Sequence, residues 1–229
     1  MKENPKNRRS KAYEELKKRI IFGRYKPGST LHEKKICQEF RISRTPYREA
    51  LMRLEAEGLV QIKPKTGVVV PPIDLNSLKD VFEMRTVLEA VAARMAFKRI
   101  QPQQLEALKT VAQRIKSLSP KSEIFSYLEL DAQFHSIIQN AQGNQVLKEN
   151  LATLYNQCMR LWNSIEDQEL IKRLIISSVR DIGKIYDAFM AGDAVAVERG
   201  IKQHFTSYLH TLIAHLIGGL GDEFVPGEE

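Results

Sequence analysis

Two arginines four residues apart, Arg44 and Arg48, open a run that reads SRTPYREALMRLEAEGLV. At that spacing on a helix they lie side by side on one face. A guanidinium can make paired hydrogen bonds to the major-groove edge of guanine, worth about 1–3 kcal/mol of discrimination between bases. Lys63, Lys65, Thr66 and Gly67 follow within KPKTG, a turn between two β-rich segments. A helix core has no use for such a concentration of cations, whereas a surface that meets phosphates does. Farther along, Asp131 and His135 are also four apart, so a carboxylate and an imidazole project from one helix face toward one point. Arg85 has Glu89 one turn on. An arginine in a largely apolar helix either finds an anionic ligand or pairs with its neighbouring glutamate, and the sequence leaves both open.

The charge is unevenly spread. Of the +7 net, residues 1–72 carry a surplus of ten positive charges and residues 73–229 a deficit of three. A basic N-terminal third on a mildly acidic remainder suggests a nucleic-acid module joined to a second function, the alternative being a basic surface kept for solubility. The two cysteines, Cys37 and Cys158, are far apart and form neither a CxxC motif nor a disulfide framework, which fits a reducing cytoplasm. Residues 1–10 are basic and polar, unlike a signal peptide, and no run approaches the ~20 apolar residues of a membrane span.

These residues need elements to hold them. Ala12, Tyr13, Leu16 and Ile20 recur at helical spacing and predict a helix over 11–22, ended by Gly23 and the turn GRYKPGS. A short second helix starts near Glu33, with Ile36 and Phe40 as its apolar face. Thr45-Pro46 is a helix start, with Ser43 as a competing cap, and Tyr47, Leu51 and Leu54 form the buried side. Leu59–Ile62 and Val68–Val70 read as a hairpin. Three short helices and a hairpin make a winged helix-turn-helix over residues 11–72, behind a flexible tail at 1–10. Pro71-Pro72 then forms a stiff boundary. The remainder, 73–220, reads as an all-α bundle with helices near 75–99, 102–118, 122–141, 144–165, 168–190 and 194–217, followed by a tail at 221–229. The fold class is mainly α.

At this point the chain resembles a known family. SRTPYREALMRLEAEGLV followed by KTGVVV, with GRYKPGSTL before it, is similar to the DNA-binding module of GntR-type bacterial transcription regulators. FEMRTVLEAVAARMA, LDAQFHSIIQNAQGN and IYDAFMAGDAVAVERGIKQHF resemble the all-helical effector domain, called FCD, of the FadR branch. The resemblance implies a cytoplasmic homodimer that binds a palindromic double-stranded DNA operator, a repressor or an activator, whose affinity changes when a small metabolite, often a carboxylate, binds the helical domain. It places Arg44 and Arg48 at the operator and Lys34 near the DNA. Ser43 and Thr45 would offer hydroxyls to phosphate. Gly67 would let the wing backbone approach the minor groove, with Lys63, Lys65 and Thr66 around it.

Many members hold a divalent metal, such as Zn or Ni, through one Asp and three His. Asp131, His135 and His204 match three of these, and the fourth position, 22 residues before His204, is Ile182 here. A three-ligand site can still hold Zn²⁺, with water or effector in the open position. The alternative is a hydrogen-bonded polar cluster, or one that touches the effector directly. Arg85, Ser178 and Tyr186 are the further effector-binding candidates. Two other functions compete with this one. A degenerate helical domain would leave a DNA-binding regulator without an effector. A metal-dependent enzyme would use Asp131, His135 and His204 to activate water, but the sequence has no general base at motif spacing, no phosphate loop and no nucleophile motif.

Overall fold

The computed structural model describes residues 5–64, 67–118 and 124–216. Lys65, Thr66 and the expected tail at 221–229 lie outside them. Contacts divide the chain into two compact units, residues 1–81 with 152–166, and residues 82–151 with 167–229.

In the first unit, α1 (Pro5–Ile21), α2 (Glu33–Phe40) and α3 (Arg44–Ala56) carry a small antiparallel sheet of β1 (Thr30–Leu31), β2 (Gln61–Lys63) and β3 (Gly67–Val69), in the order β1-β3-β2. The predicted apolar faces close on one another: Ala12, Tyr13, Leu16 and Ile20 of α1, Ile36 of α2, and Tyr47, Leu51 and Leu54 of α3 are all buried. Arg41, left-handed at φ 53°, ends α2; its N–H donates to the Gln38 carbonyl, and the N–H of Ile42 to the Cys37 carbonyl. That conformation costs a non-glycine residue about 1–2 kcal/mol and makes the sharp turn into α3.

Three differences from the sequence expectation matter in this unit. First, α1 begins at Pro5 and takes in residues assigned to a flexible tail; proline is well tolerated at a helix's first position, and no breaker follows before Gly23. Second, Ser43, not Thr45, sits at the start of α3, though its side chain makes no capping bond. Pro46 then falls within the first turn, where an N–H has no helical acceptor and its loss costs little. Third, the hairpin gains a strand: Thr30 pairs with Val69 and Leu31 with Val68. Two residues are too few to show the alternation by which a strand is read.

The second unit is helical among the described residues. It is built from α4 (Leu75–Phe97), α5 (Pro102–Lys116), α6 (Ile124–Ala141), α7 (Gln145–Trp162), α8 (Gln168–Met190) and α9 (Ala194–Leu216), with α4 and α7 each also contributing turns to the first unit. The starts are written in the sequence. Gln101 and Gln104 form a reciprocal capping box ahead of Pro102. The Asp167 carboxylate accepts from the Glu169 and Leu170 N–H groups at 2.8 and 3.0 Å, and Asp193 does the same for α9 from Val195 and Ala196. Gly192, at φ 72°, turns α8 back into α9. Gly200 then lies so close to Ile185 that a Cβ there would stand 2.9 Å from its Cγ1. This contact fixes the register of the pair: each step back from 185 on α8 matches one step forward from 200 on α9. Position 181 is therefore opposite His204.

Candidate nucleic-acid interface and ligand cluster

The described DNA-binding candidates of the first unit are exposed, and Arg44 and Arg48 share one anchor. Arg44 and Arg48 have side chains 79% and 69% exposed, and both reach Glu33 at the start of α2, with Nε–carboxylate distances of 2.9 and 3.6 Å. One glutamate thus holds both guanidinium groups above the first turn of α3. Lys34, Ser43, Thr45, Lys63 and Gly67 are exposed as well. Gly67 has φ 95° and stands opposite Lys63 in the β2–β3 pairing, with open space where a Cβ would be. Arg53 is not part of this face; its guanidinium lies 3.6 Å from the centre of the Tyr13 ring.

The same unit holds an arrangement that sequence reasoning missed. Arg160 of α7 is buried and donates to the carbonyls of Gly58 (3.3 Å) and Pro71 (2.5 Å). Gln157 donates to the Glu57 carbonyl at 3.4 Å, and Asn163 to the Ile21 carbonyl at 3.0 Å. The acceptors are the last residue of α1, the two residues that follow α3, and Pro71 in the linker. Helix ends carry carbonyls with no helical partner, so side-chain donors from α7 fill a standing need. No local spacing signals this, since donors and acceptors lie about a hundred residues apart.

In the second unit, α6 and α9 bring Asp131, His135 and His204 together, and one ligand atom from each lies within 4.8 Å of the others. His135 Nε2 is 3.7 Å and His204 Nε2 3.9 Å from Asp131 Oδ1, which also accepts the Tyr127 hydroxyl at 3.1 Å. Beside them Arg85 and Glu89 of α4 form a buried ion pair at 3.1 Å, with Gln139 donating to the same Glu89 oxygen at 3.0 Å. The Arg85–Glu89 pair that the sequence allows is present, and the guanidinium also lies 4.5 Å from the Phe205 ring centre.

Burial alone would raise the Glu89 carboxyl, but the charges of His135 and Arg85 outweigh it and draw it down to about 2. Burial likewise pushes His135 down, and Glu89 and Asp131 more than offset it, so His135 is raised. His204 is lowered to about 4, first by burial and then by His135. Two adjacent histidines are thus driven apart, His204 toward the neutral form that ligates metals. His204 Nδ1 and both nitrogens of His135 are buried without a hydrogen-bond partner among the described residues. Imidazole nitrogens left unsatisfied around a carboxylate are what a divalent ion would engage, so the donor set fits a metal.

Ile182, where the resemblance expects the family's fourth ligand, is fully buried. Its neighbour Asp181, one residue earlier on α8, is 2% exposed, and its charge acts on His204. The family spacing of 22 residues gives 182, and the α8–α9 register places 181, one residue earlier, across from His204. Ser178 is buried one turn before Ile182 and Tyr186 is half-buried one turn after it. Neither is joined to the cluster by a hydrogen bond among the described residues.

Comparison with known proteins agrees with both units. Residues 8–70 match the model of bacterial regulatory proteins of the gntR family, and residues 80–207, more than half of the chain, match the FCD domain. The chain is 27% identical over 192 residues to the HTH-type transcriptional repressor RspR of Escherichia coli K12, covering 84% of this chain and 83% of that protein. It is 26% identical over 210 residues to the HTH-type transcriptional regulator LutR of Bacillus subtilis, covering 82% and 93%. In fold it is similar to Escherichia coli McbR/YncC, with TM-score 0.73 and 20% identity over 90% of this chain and 98% of that one. A GntR transcriptional regulator from Rhodococcus sp. RHA1 gives TM-score 0.71 and 21% identity over 94% and 100%. These domains and relatives are those of transcription regulators, not enzymes. With its winged helix-turn-helix followed by an FCD domain, the chain belongs to the GntR family of bacterial regulatory proteins, in the FadR-type branch.

Proposed function

We propose that this regulator binds a palindromic operator as a homodimer and that a small molecule held at the Asp131–His135–His204 cluster changes its affinity for that operator. The observation that carries the reading is the buried cluster itself. Imidazole nitrogens with no partner are costly in a core, and a ligand-binding role accounts for keeping them. Asp131, His135 and His204 would hold a divalent ion, Zn or Ni, and such an ion, when bound, supplies open coordination positions for an oxygen donor. A carboxylate effector then has an anchor that Arg85, held by Glu89, does not offer. Arg44 and Arg48 read the operator, Ser43 and Thr45 donate to its phosphates, and Lys34 and Lys63 with the wing at Lys65, Thr66 and Gly67 add backbone contacts.

One helix face suits a second copy. Met84, Val87 and Val91 of α4 are 51%, 55% and 45% exposed at helical spacing, an apolar stripe on the surface of the chain. Asp80 and Glu83 lie toward one end of that stripe, and Arg94 and Lys98 toward the other, all exposed. Two such helices crossing antiparallel near Val87 would cover both stripes and set each acidic end beside the partner's basic end, an isologous contact.

The test is operator binding, measured by fluorescence anisotropy on zinc-loaded and chelator-stripped protein, with and without a panel of small organic acids. The reading expects at least one compound to shift the operator Kd about tenfold. If no metal and no compound shifts it, the effector role is wrong.

A further inference from the structure

Beside the cluster, one buried carboxylate is held only by an exposed partner and has an oxygen left over. Glu89 is compensated by Arg85 at 3.1 Å. Asp131 faces His135 and His204 and is the carboxylate of the metal-binding triad. Asp181 is paired with an arginine too, but with an exposed one. Its Oδ1 accepts only from the Nε of Arg180, the adjacent residue, at 3.2 Å, and that arginine's side chain is 62% exposed. Its Oδ2 is buried with no hydrogen-bond partner among the described residues. Asp181 also stands outside the group whose ligand atoms all lie within 4.8 Å of one another, while the register places it across from His204. A carboxylate that is 2% exposed and half-satisfied is a large cost to a fold unless something brings it positive charge. An ion on Asp131, His135 and His204 would engage Asp131, and Asp181 Oδ2, outside that group, would still lack a hydrogen-bond donor.

We propose that Asp181 recognises a protonated amine, so that the effector of this regulator is a small amino-bearing molecule and not a plain organic acid. The proposal rests on the effector role assigned to the cluster and names the chemical class of ligand. An ammonium donates up to three hydrogen bonds and cancels one buried charge, which is what Asp181 Oδ2 lacks. A hydroxyl in the same place could donate one bond but would leave the charge buried.

The experiment is calorimetric titration of zinc-loaded and metal-free protein with matched pairs: glycine, alanine, glutamate, lysine and their 2-hydroxy acid counterparts, with ethylamine and putrescine as amines lacking a carboxylate. The expected result is an amino compound that binds at least tenfold tighter than its hydroxy match, a preference abolished in Asp181→Asn and retained in Arg180→Ala. Because the asparagine is isosteric and removes a buried charge whose partner Arg180 is largely exposed, the ligand-free Asp181→Asn protein should also melt at a higher temperature than wild type. A merely structural aspartate would give the opposite shift. Three outcomes overturn the proposal: hydroxy acids that bind as tightly as the amino compounds, no binding by any amino compound, or a loss of zinc in Asp181→Asn with no amino preference, which would make Asp181 a metal ligand. A hydroxy acid that binds and shifts operator affinity would leave the effector role standing while removing this assignment.

Discussion

Arg44 and Arg48 project largely into solvent from the first turns of α3, with Glu33 as the shared anchor. Arg44→Ala or Arg48→Ala should therefore leave the fold intact and lower specific operator affinity by about 1–3 kcal/mol each, as expected for loss of a bidentate base contact. Gel-shift titration with circular dichroism as a fold control measures both, and unchanged operator affinity in the Arg48 variant would remove it from the reading face. In the ligand cluster, His135→Ala should abolish metal binding, because Asp131 and His204 alone leave too few donors. Metal analysis after dialysis is the check, and a full equivalent retained by the variant would place the ion elsewhere. Much at this scale was legible because it is local: a helical spacing of four is visible in the string, and it put Asp131 beside His135. What lay beyond local spacing was missed. Asp181 depends on the register of two antiparallel helices, which a close contact between Gly200 and Ile185 sets. Arg85 had two partners open to it in the sequence, and only packing could show that it meets Glu89.

Among the elements, α7 gives the first unit donors that the sequence could not announce. Arg160→Met keeps the apolar stem but loses the bonds to the Gly58 and Pro71 carbonyls. Removing hydrogen bonds from a buried charged donor costs about 2 kcal/mol, so the melting midpoint should drop by roughly 4–8 °C. An unchanged thermal melt would mean that these carbonyls are satisfied without Arg160. On α4, Val87→Lys places a charge in the middle of the exposed apolar stripe and should shift the protein from dimer to monomer in sedimentation at micromolar concentration. A variant that stays dimeric would locate the dimer contact on another face. Helices with capping signals were read to within a few residues, as with Asp167 before α8, because a cap is a local bond. The start of α1 was not, because Pro5 through Ser10 lack an apolar periodicity and α1 draws its stability from the buried face that follows.

The whole molecule joins a cationic reader to a helical unit with an under-satisfied core, and its two-part charge distribution is the trace of that division in the sequence. Among the described residues no helix is long and apolar enough to cross a membrane. A single reading helix spans only a few base pairs, so specificity at the scale of a genome calls for two copies on one site. Selection of binding sequences from a random duplex pool by the purified full chain, followed by anisotropy titration of the winning duplex, tests this most directly. The expected result is a palindrome with half-sites about one helical turn apart, bound with two chains per duplex and at least about a thousandfold tighter than a scrambled duplex at physiological salt. A pool that yields no enriched sequence, or a lone half-site bound by one chain, would contradict the account.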